Sequence, residues 1–148
     1  MKELRLDLGT RSYKINIKAG LLGDKTMFSE LADRDVLIVS NETVAKLYLD
    51  QLNRTINAKR RFSMELPDGE SFKTLDTVTQ IYDALLAHQF SRDSILVALG
   101  GGVVGDITGF AAATFQRGIQ FFQIPTTLLA QVDSSVGGKT GVNHPLGK

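Results

Sequence analysis

A run of glycines after a hydrophobic segment is the strongest chemical signal in this sequence. ILVALGGGVVGD contains the spacing G-x-G-x-x-G, formed by Gly100, Gly102 and Gly105. The preceding run Ser94–Leu99 has the composition of a buried parallel strand, and an apolar helix is expected to follow. Glycine lets backbone N–H groups approach a ligand, and the start of a helix carries a partial positive charge. The segment therefore indicates diphosphate binding, with a tightly packed strand-to-helix turn as the alternative.

The glycine segment departs from an ordinary dinucleotide-binding fingerprint in two respects. The fingerprint normally follows the first strand of the fold, whereas several predicted strands precede it here. The acidic residue expected about 20 positions further on is absent, because that region reads QIPTT. Asp106 lies in the first predicted helical turn, where it either interacts with the helix dipole or contacts a ligand.

The turn PDGESFK, residues 67–73, places two carboxylates and a lysine after another predicted strand: Asp68, Glu70 and Lys73. The carboxyl ends of parallel strands meet at one edge of a sheet, where ligands collect. Carboxylates at that edge can accept hydrogen bonds from ribose hydroxyls, and a lysine can bind phosphate. The alternative is a solvated turn, for which Pro-Asp-Gly is a favourable sequence.

Residues 133–148, DSSVGGKTGVNHPLGK, resemble the end of a P-loop at Gly138-Lys139-Thr140. A P-loop needs a glycine five positions before Gly138, where this sequence has Asp133, and it needs a preceding strand rather than a helix. We therefore exclude a P-loop. A segment this rich in polar residues and glycine is better suited to binding a phosphorylated or polyhydroxylated ligand than to core packing. The alternative is an ordinary surface loop.

Composition excludes several classes of protein. Lys plus Arg number 17 and Asp plus Glu 16, so no basic excess for a nucleic-acid surface exists. Cysteine is absent, and the two histidines, His88 and His144, lack metal-ligand spacing, so we expect no metal site. Neither a signal peptide nor a membrane-spanning segment is evident, and we expect a cytoplasmic protein.

Hydrophobic periodicity predicts the elements that position these residues. Alternation predicts an antiparallel hairpin over residues 4–17 that turns at Gly9–Arg11. Strands are predicted at 35–40, 61–66, 94–99 and 121–124, and helices after an N-cap at Asn41, at 74–90 and at 105–115. The apolar helix faces are predicted to contain Val44, Leu47, Tyr48 and Leu52, and then Leu75, Val78, Ile81, Tyr82, Leu85 and Leu86. The aromatic side chains assigned to the core rather than an interface are Phe115, Phe121 and Phe122. The pattern predicts an α/β, Rossmann-like parallel sheet with helices on both faces.

Four segments carry a resemblance to a known family: PDGESFK, LGGGVVGDITGFAAATFQRGI, QIPTTLLAQVDSSVGGKTGVN and HPLGK. They occur in the order found in the N-terminal domain of the 3-dehydroquinate synthase family, a group of sugar-phosphate cyclases, which this sequence strongly resembles. The resemblance implies that residues 1–148 are an NAD-binding domain truncated from a longer two-domain enzyme. The family's C-terminal helical domain, which holds zinc or cobalt through one glutamate and two histidines, is then absent.

The resemblance also implies an activity, that of a phosphorus-oxygen lyase in the shikimate pathway. Members of the family use NAD to oxidise a hydroxyl of 3-deoxy-D-arabino-heptulosonate 7-phosphate transiently, and phosphate is then eliminated. Return of the hydride, ring opening and intramolecular aldol closure give 3-dehydroquinate. The full-length enzyme is expected to be a homodimer. The isolated domain is expected to fold and to bind NAD weakly, without turnover.

Site residues are implied by the same resemblance. The block that contacts the adenosine side of NAD comprises Asp68, Gly69, Glu70, Ser71, Phe72 and Lys73. The diphosphate loop comprises Gly102, Val103, Val104, Gly105 and Asp106. Further NAD contacts are Thr126 and Thr127, with Lys139 and Lys148 near the nicotinamide and substrate. The implied catalytic residues are Asp133, Lys139, Lys148 and Arg117, the last reaching the site of a neighbouring subunit.

Three other functions remain open from the sequence. A metal-dependent alcohol or polyol dehydrogenase would share the glycine loop and NAD, although it does not need the DSSVGGKTGVN block. A cyclase that makes a different cyclitol would use the same machinery. A nucleotide-binding or regulatory module without a catalytic partner would have the same fold and cofactor site.

Overall fold

Strands and helices alternate along the chain after an N-terminal hairpin. The computed structural model describes residues 1–147. The elements, in chain order, are β1 (Lys2–Leu6), β2 (Tyr13–Ile17), β3 (Asp35–Asn41), α1 (Glu42–Thr55), β4 (Arg60–Leu66), α2 (Leu75–Ala87), β5 (Ile95–Gly100), α3 (Gly102–Thr114) and β6 (Gln120–Pro125). In this part of the chain, no helix combines the length and apolar character needed to cross a bilayer.

Strands β3 to β6 form one four-stranded sheet in the order β4-β3-β5-β6, and every neighbouring pair is parallel. All residues of the central strand β5 are buried, and so are all residues of β3 after Asp35. Parallel strands covered on both faces require such continuous apolar runs. The sequence prediction of a parallel α/β sheet is therefore confirmed.

The two faces of the sheet carry two separate hydrophobic cores. Because successive side chains of a strand point to opposite faces, Val36 and Ile38 enter one core and Leu37 and Val39 the other. The first core is completed by Leu52 and Ile56 at the end of α1, and by Phe28 and Leu31 of the 3-10 segment Lys25–Leu31 that precedes β3. The second is completed from α2 and α3 by Val78, Ile81, Leu85, Val104, Ile107 and Ala111. Helices on both faces are thus confirmed.

The three phenylalanines near β6 contribute to these cores, as expected. Phe115 is 6% exposed and belongs to the core under α2 and α3. Phe121 packs against the same core, and Phe122 packs against the one under α1. Successive positions of β6 therefore stabilise opposite faces of the sheet.

Helix starts agree with the sequence prediction in one case and differ in another. The side chain of Asn41 accepts a hydrogen bond from the Val44 amide at 2.8 Å, so the predicted N-cap of α1 is confirmed. Helix α3 begins at Gly102, three positions before the predicted start at Gly105. Gly101 has an extended backbone conformation and the helix starts directly after it, so Gly102, Val103 and Val104 are helical rather than part of a loop.

The predicted apolar helix faces include four residues that are exposed in the structure. Leu47 is 66% exposed and Leu86 is 61% exposed, and Tyr48 and Leu75 are also on the surface. Helical spacing identifies a broad apolar face, but only the strip directly above the sheet is covered. On α2 that strip is formed by Thr77, Val78, Ile81 and Leu85.

The N-terminal hairpin is confirmed and forms a sheet of its own. Strands β1 and β2 pair antiparallel, with Leu4 opposite Ile15. The turn between them contains Gly9 at φ +65°, a left-handed conformation that favours glycine. The hairpin forms no strand pairing with the four-stranded sheet.

Candidate functional site

The loops at the carboxyl edge of the parallel sheet bring the predicted ligand residues together. Register pairs Asn41 with Leu66 at the ends of β3 and β4, and Gly100 with Pro125 at the ends of β5 and β6. The segments that follow these strands are 67–73, 101–106 and 126–127. A parallel arrangement places all of them at one edge, the usual position of ligands in such sheets.

The amino terminus of α3 presents free backbone amides at this edge. Its N-cap residue, Gly101, has no side chain and forms no side-chain cap. The Gly105 amide bonds the Gly101 carbonyl at 3.0 Å, so the amides of Gly102 and Val103 precede the first intrahelical bond. Gly102 and Val103 are both partly exposed. This geometry suits an anionic group, because the amides and the helix dipole both favour negative charge.

The three glycines of the motif differ in how closely neighbouring atoms pack against them. A Cβ on Gly100 would lie 2.7 Å from the branched side chain of Val104, and a Cβ on Gly105 would overlap the Gln123 amide. Gly100 therefore requires glycine for close helix–strand packing, and a side chain at Gly105 would displace the end of Gln123. A Cβ on Gly102 would only reach ordinary contact with Ser134. The alternative interpretation from sequence, a packed turn, thus applies to Gly100 and Gly105, while Gly102 has room for a Cβ.

The acidic turn after β4 is fixed by neighbouring elements. Asp68 accepts hydrogen bonds from Asn41 Nδ2 at 3.0 Å and from Thr43 Oγ1 at 2.9 Å. These bonds occupy about half of the lone-pair positions of the carboxylate and leave the others for a ligand. Glu70 Oε1 accepts from Asn143 Nδ2 at 3.0 Å. The turn is therefore an ordered part of the edge rather than a freely solvated loop.

An ion pair joins the acidic turn to α3. Lys73 Nζ lies 2.5 Å from Asp106 Oδ2, and both side chains are about one-fifth exposed (18% and 21%). The Lys73 carbonyl also accepts a hydrogen bond from the Asn143 amide at 2.8 Å. Asp106, for which the sequence left a dipole role and a ligand role open, is thus paired with a lysine. Lys73 offsets the repulsion that this carboxylate would exert on an anion at the helix start.

Beside this ion pair lies an open pocket of about 240 Å³. Its lining residues are Lys73, Asp106, Lys139, Thr140, Gly141, Val142 and Asn143. Two lysines and one carboxylate in the lining give the pocket a net positive charge. The pocket therefore suits an anionic, hydroxyl-bearing molecule, and it places Lys139 beside Lys73 of the acidic turn.

Other predicted site residues lie at or near the same edge. Thr126 Oγ1 is buried with no hydrogen-bond partner within residues 1–147, and Thr127 Oγ1 accepts from the Ala130 amide at 3.2 Å. Ser71 and Phe72 form a 3-10 turn with Glu70, and Phe72 is 39% exposed. The positions predicted on α3 beyond Val103 are less accessible, since Val104 and Gly105 are buried.

Two predicted catalytic residues, Arg117 and Asp133, do not line the pocket. Arg117 follows the carboxyl end of α3, and the 13 residues of that helix separate it from the glycine loop by about 20 Å along the helix axis. Asp133 is exposed on the π-helical segment Ala130–Ser134, and its carboxylate forms no hydrogen bond or ion pair within residues 1–147. Lys148 lies outside the described residues.

Sequence reasoning missed several polar residues at the edge. Asn41 was identified only as a helix cap, and Thr43 and Asn143 were not assigned as partners of Asp68 and Glu70. Gln123 Nε2 is buried without a partner within residues 1–147. A polar residue within an otherwise apolar strand, QFFQIP, was the available signal for Gln123.

The residues present fit a dinucleotide and do not fit a metal ion. Free helix amides, an ordered carboxylate and the buried unpartnered atoms of Gln123 and Thr126 all lie at or beside the same edge. Among residues 1–147, no three His, Asp or Glu side chains are grouped so that they could hold a metal ion.

Comparison with known proteins identifies the family of this chain. The family described as 3-dehydroquinate synthase N-terminal matches residues 63–148, more than half of the chain. The 3-dehydroquinate synthase of Shewanella frigidimarina is 57% identical over the whole chain, and that of Azotobacter vinelandii is 58% identical. The chain spans 42% and 41% of the length of these two relatives.

Solved structures of related cyclases have the same fold. A 2-deoxy-scyllo-inosose synthase, solved with carbaglucose-6-phosphate, NAD+ and Co2+, superposes on 99% of the chain with a TM-score of 0.84 and 25% identity, and 41% of that protein is covered. The 2-epi-5-epi-valiolone synthase of Streptomyces hygroscopicus, solved with NAD+ and Zn2+, matches 94% of the chain and 39% of its own length, with a TM-score of 0.81 and 31% identity. This chain therefore belongs to the 3-dehydroquinate synthase family and corresponds to its N-terminal region.

Proposed function

We propose that this chain binds NAD at the carboxyl edge of its sheet, as the cofactor-binding part of a 3-dehydroquinate synthase. The complete enzyme converts 3-deoxy-D-arabino-heptulosonate 7-phosphate to 3-dehydroquinate and phosphate. The observation that carries the proposal is the position of the ordered Asp68 carboxylate on the same edge as the free amides of α3. Identities of 57% and 58% to 3-dehydroquinate synthases, against 25% and 31% to the two other cyclases, favour this substrate.

Each part of the dinucleotide has a complementary group. The amides of Gly102 and Val103 bind the diphosphate at the start of α3. Asp68 accepts hydrogen bonds from ribose hydroxyls through its remaining lone pairs, and the bonds from Asn41 and Thr43 hold it in place. When bound, NAD supplies transient oxidation of the substrate by accepting a hydride and later returning it.

Lys139 and the pocket around it bind the anionic substrate next to the cofactor. A lysine is a point charge that suits phosphate or carboxylate groups without fixing their orientation. Asp133, Arg117 and Lys148 are proposed to complete the substrate site, with Arg117 acting on the site of a partner subunit in a homodimer.

The described residues contain no ligand set for the metal found in the related cyclases. We propose that its ligands belong to the region that the relatives have in addition to the part matched here. The 148-residue chain should then release no phosphate from the heptulosonate phosphate with NAD+ and zinc added, in an inorganic-phosphate assay. Turnover at the rate of a full-length relative would contradict this part of the proposal.

Calorimetric titration with NAD+ tests cofactor binding. We expect measurable binding, weaker than that of a full-length relative because one domain buries less of the ligand. Asp68→Asn should weaken binding about 10- to 100-fold, because hydrogen bonds to charged groups contribute about 1.5–3 kcal/mol.

The matched control is Asp83→Asn, which removes the same charge from an exposed position on α2. It should leave the affinity unchanged. Absence of binding to the wild-type chain, or equal affinities of the Asp68→Asn and Asp83→Asn variants, would contradict the proposed site.

A further inference from the structure

A tyrosine of the N-terminal hairpin holds the glycine turn that precedes Lys139. The Tyr13 hydroxyl donates to the Ser135 carbonyl at 2.9 Å and accepts from the Gly137 amide at 2.7 Å. These two bonds span 122 and 124 positions of the sequence. Within residues 1–147, no other hydrogen bond connects residues 1–17 to the remainder of the chain. The hairpin is thus connected specifically to this turn.

The turn that Tyr13 holds needs an external constraint. Gly137 and Gly138 have φ of +93° and +68°, a region that glycine enters readily but does not prefer to other regions. A Cβ on Gly138 would meet no atom within 4 Å, so little packing holds the backbone there. The Tyr13 hydroxyl bonds the Ser135 carbonyl, which precedes Val136, and the Gly137 amide, which follows it. It thereby fixes the direction in which the chain enters Lys139.

Lys139 follows directly and lines the pocket with Lys73 and Asp106. Its side chain is long and exposed, so its average position depends on the backbone that carries it. A constraint on residues 135–137 therefore limits where the ammonium group of Lys139 can reach.

We infer that Tyr13 is a positioning residue, which orients Lys139 toward an anionic ligand in the pocket by anchoring the glycine turn. The ligand part of this inference rests on the function proposed above, whereas the anchoring part does not. The hydroxyl carries the effect, since the two hydrogen bonds are made by that atom alone.

Tyr13→Phe is the direct test, because it removes the hydroxyl and keeps the ring. In ¹⁵N NMR of the 148-residue chain, exchange of the Gly137 amide should accelerate about three- to tenfold, the effect of losing one neutral hydrogen bond. The order parameter of the Lys139 amide should fall at the same time. The matched control is Tyr48→Phe, since Tyr48 is also partly exposed and its hydroxyl forms no hydrogen bond within residues 1–147.

A double-mutant cycle tests whether Tyr13 acts through Lys139. Tyr13→Phe should weaken binding of the heptulosonate phosphate, titrated with NAD+ present, about three- to tenfold in the wild-type background and have no further effect in a Lys139→Ala background. A merely structural role would give the same factor in both backgrounds.

The outcomes separate this inference from the proposed function. Unchanged Gly137 exchange in Tyr13→Phe, or an equal change in Tyr48→Phe, overturns the inference whether or not NAD+ binds. Faster exchange with an unaltered Lys139 order parameter also overturns it. If the wild-type chain does not bind NAD+, the proposed function fails, and the two NMR measurements alone decide whether Tyr13 positions Lys139.

Discussion

Each acidic side chain of the acidic turn, and Asp106 near the start of α3, is bonded to a residue from a different element. Asp68 is bonded by Asn41 at the end of β3, Glu70 by Asn143 in the closing segment, and Asp106 by Lys73 of the acidic turn. Such bonds hold the groups in place before a ligand arrives, which lowers the ordering cost of binding.

The Lys73–Asp106 pair provides a prediction at this scale. Lys73→Met leaves a mostly buried carboxylate without its partner, and the free energy of unfolding should fall by about 1–3 kcal/mol, measured by urea denaturation at pH 7. Asp106→Asn added to Lys73→Met should recover most of this loss, because no unpaired charge then remains. Equal stability of the single and double variants would contradict the assignment of the loss to an unpaired Asp106 charge.

At the scale of elements, α2 shows how the tertiary fold selects among apolar residues. Leu85 and Leu86 are neighbours on this helix, and the helical pattern predicted that both are covered. Leu85 is fully buried between α2 and the sheet, whereas Leu86 is 61% exposed. The sheet covers only part of the helix circumference, so a rotation of one residue, about 100°, moves a side chain from the core to the surface.

Leu85→Ala should lower the free energy of unfolding by about 2–5 kcal/mol, since it removes buried methyl groups and leaves a cavity. Leu86→Ala, the matched control on the same helix, should change it by no more than about 0.5 kcal/mol. Thermal and urea unfolding followed by circular dichroism measures both. Similar losses in the two variants would mean that Leu86 is covered in solution.

At the scale of the whole molecule, the two edges of the sheet have different roles. At the amino edge, Arg60 donates hydrogen bonds from two nitrogens to the Asp35 carboxylate, at 2.9 and 2.6 Å. The same guanidinium donates to the His88 carbonyl and lies over the rings of Phe62 and Phe90. Asp35 and Arg60 thus pair with each other at this edge, whereas Lys73, Asp106 and Lys139 line a pocket at the carboxyl edge.

The Asp35–Arg60 pair makes stability depend on acidic pH. The hydrogen bonds that the Asp35 carboxylate accepts from Arg60 hold the pKa of this carboxyl below its ordinary value. A carboxyl with a lowered folded-state pKa stabilises the fold above its unfolded-state value, and this stabilisation is lost as the pH falls through the folded-state pKa.

Asp35→Asn should therefore lower the urea midpoint at pH 7, and its difference from wild type should shrink below about pH 4, where an ordinary aspartate is protonated. Urea unfolding from pH 7 to pH 3 measures this, with Asp83→Asn as the control of equal charge. A difference from wild type that stays constant across this range would contradict the assigned linkage.

The sequence was sufficient for features that depend on local pattern. Continuous apolar runs predicted β3 and β5, the cap at Asn41 predicted the start of α1, and the order of strands and helices predicted the parallel sheet. The segments proposed to bind a ligand were also recognisable, because glycine spacing and clustered polar residues are local properties. Family resemblance assigned them to 3-dehydroquinate synthases, and the whole-chain identity to such enzymes agrees with that assignment.

Only the tertiary structure decided which residues meet. Asn41 bonds Asp68 across 27 positions, Asn143 bonds Glu70 across 73, and Tyr13 reaches the glycine turn across more than 120. No periodicity links such positions. Asn41 and Asp68 meet because parallel crossovers bring the ends of β3 and β4 to one edge, whereas the contacts of Tyr13 and Asn143 arise from how the N-terminal hairpin and the closing segment pack against other parts of the chain. The same fold decided that Leu85 is core and Leu86 is surface. Local pattern thus determined which residues could bind a ligand, and long-range packing determined how they are held.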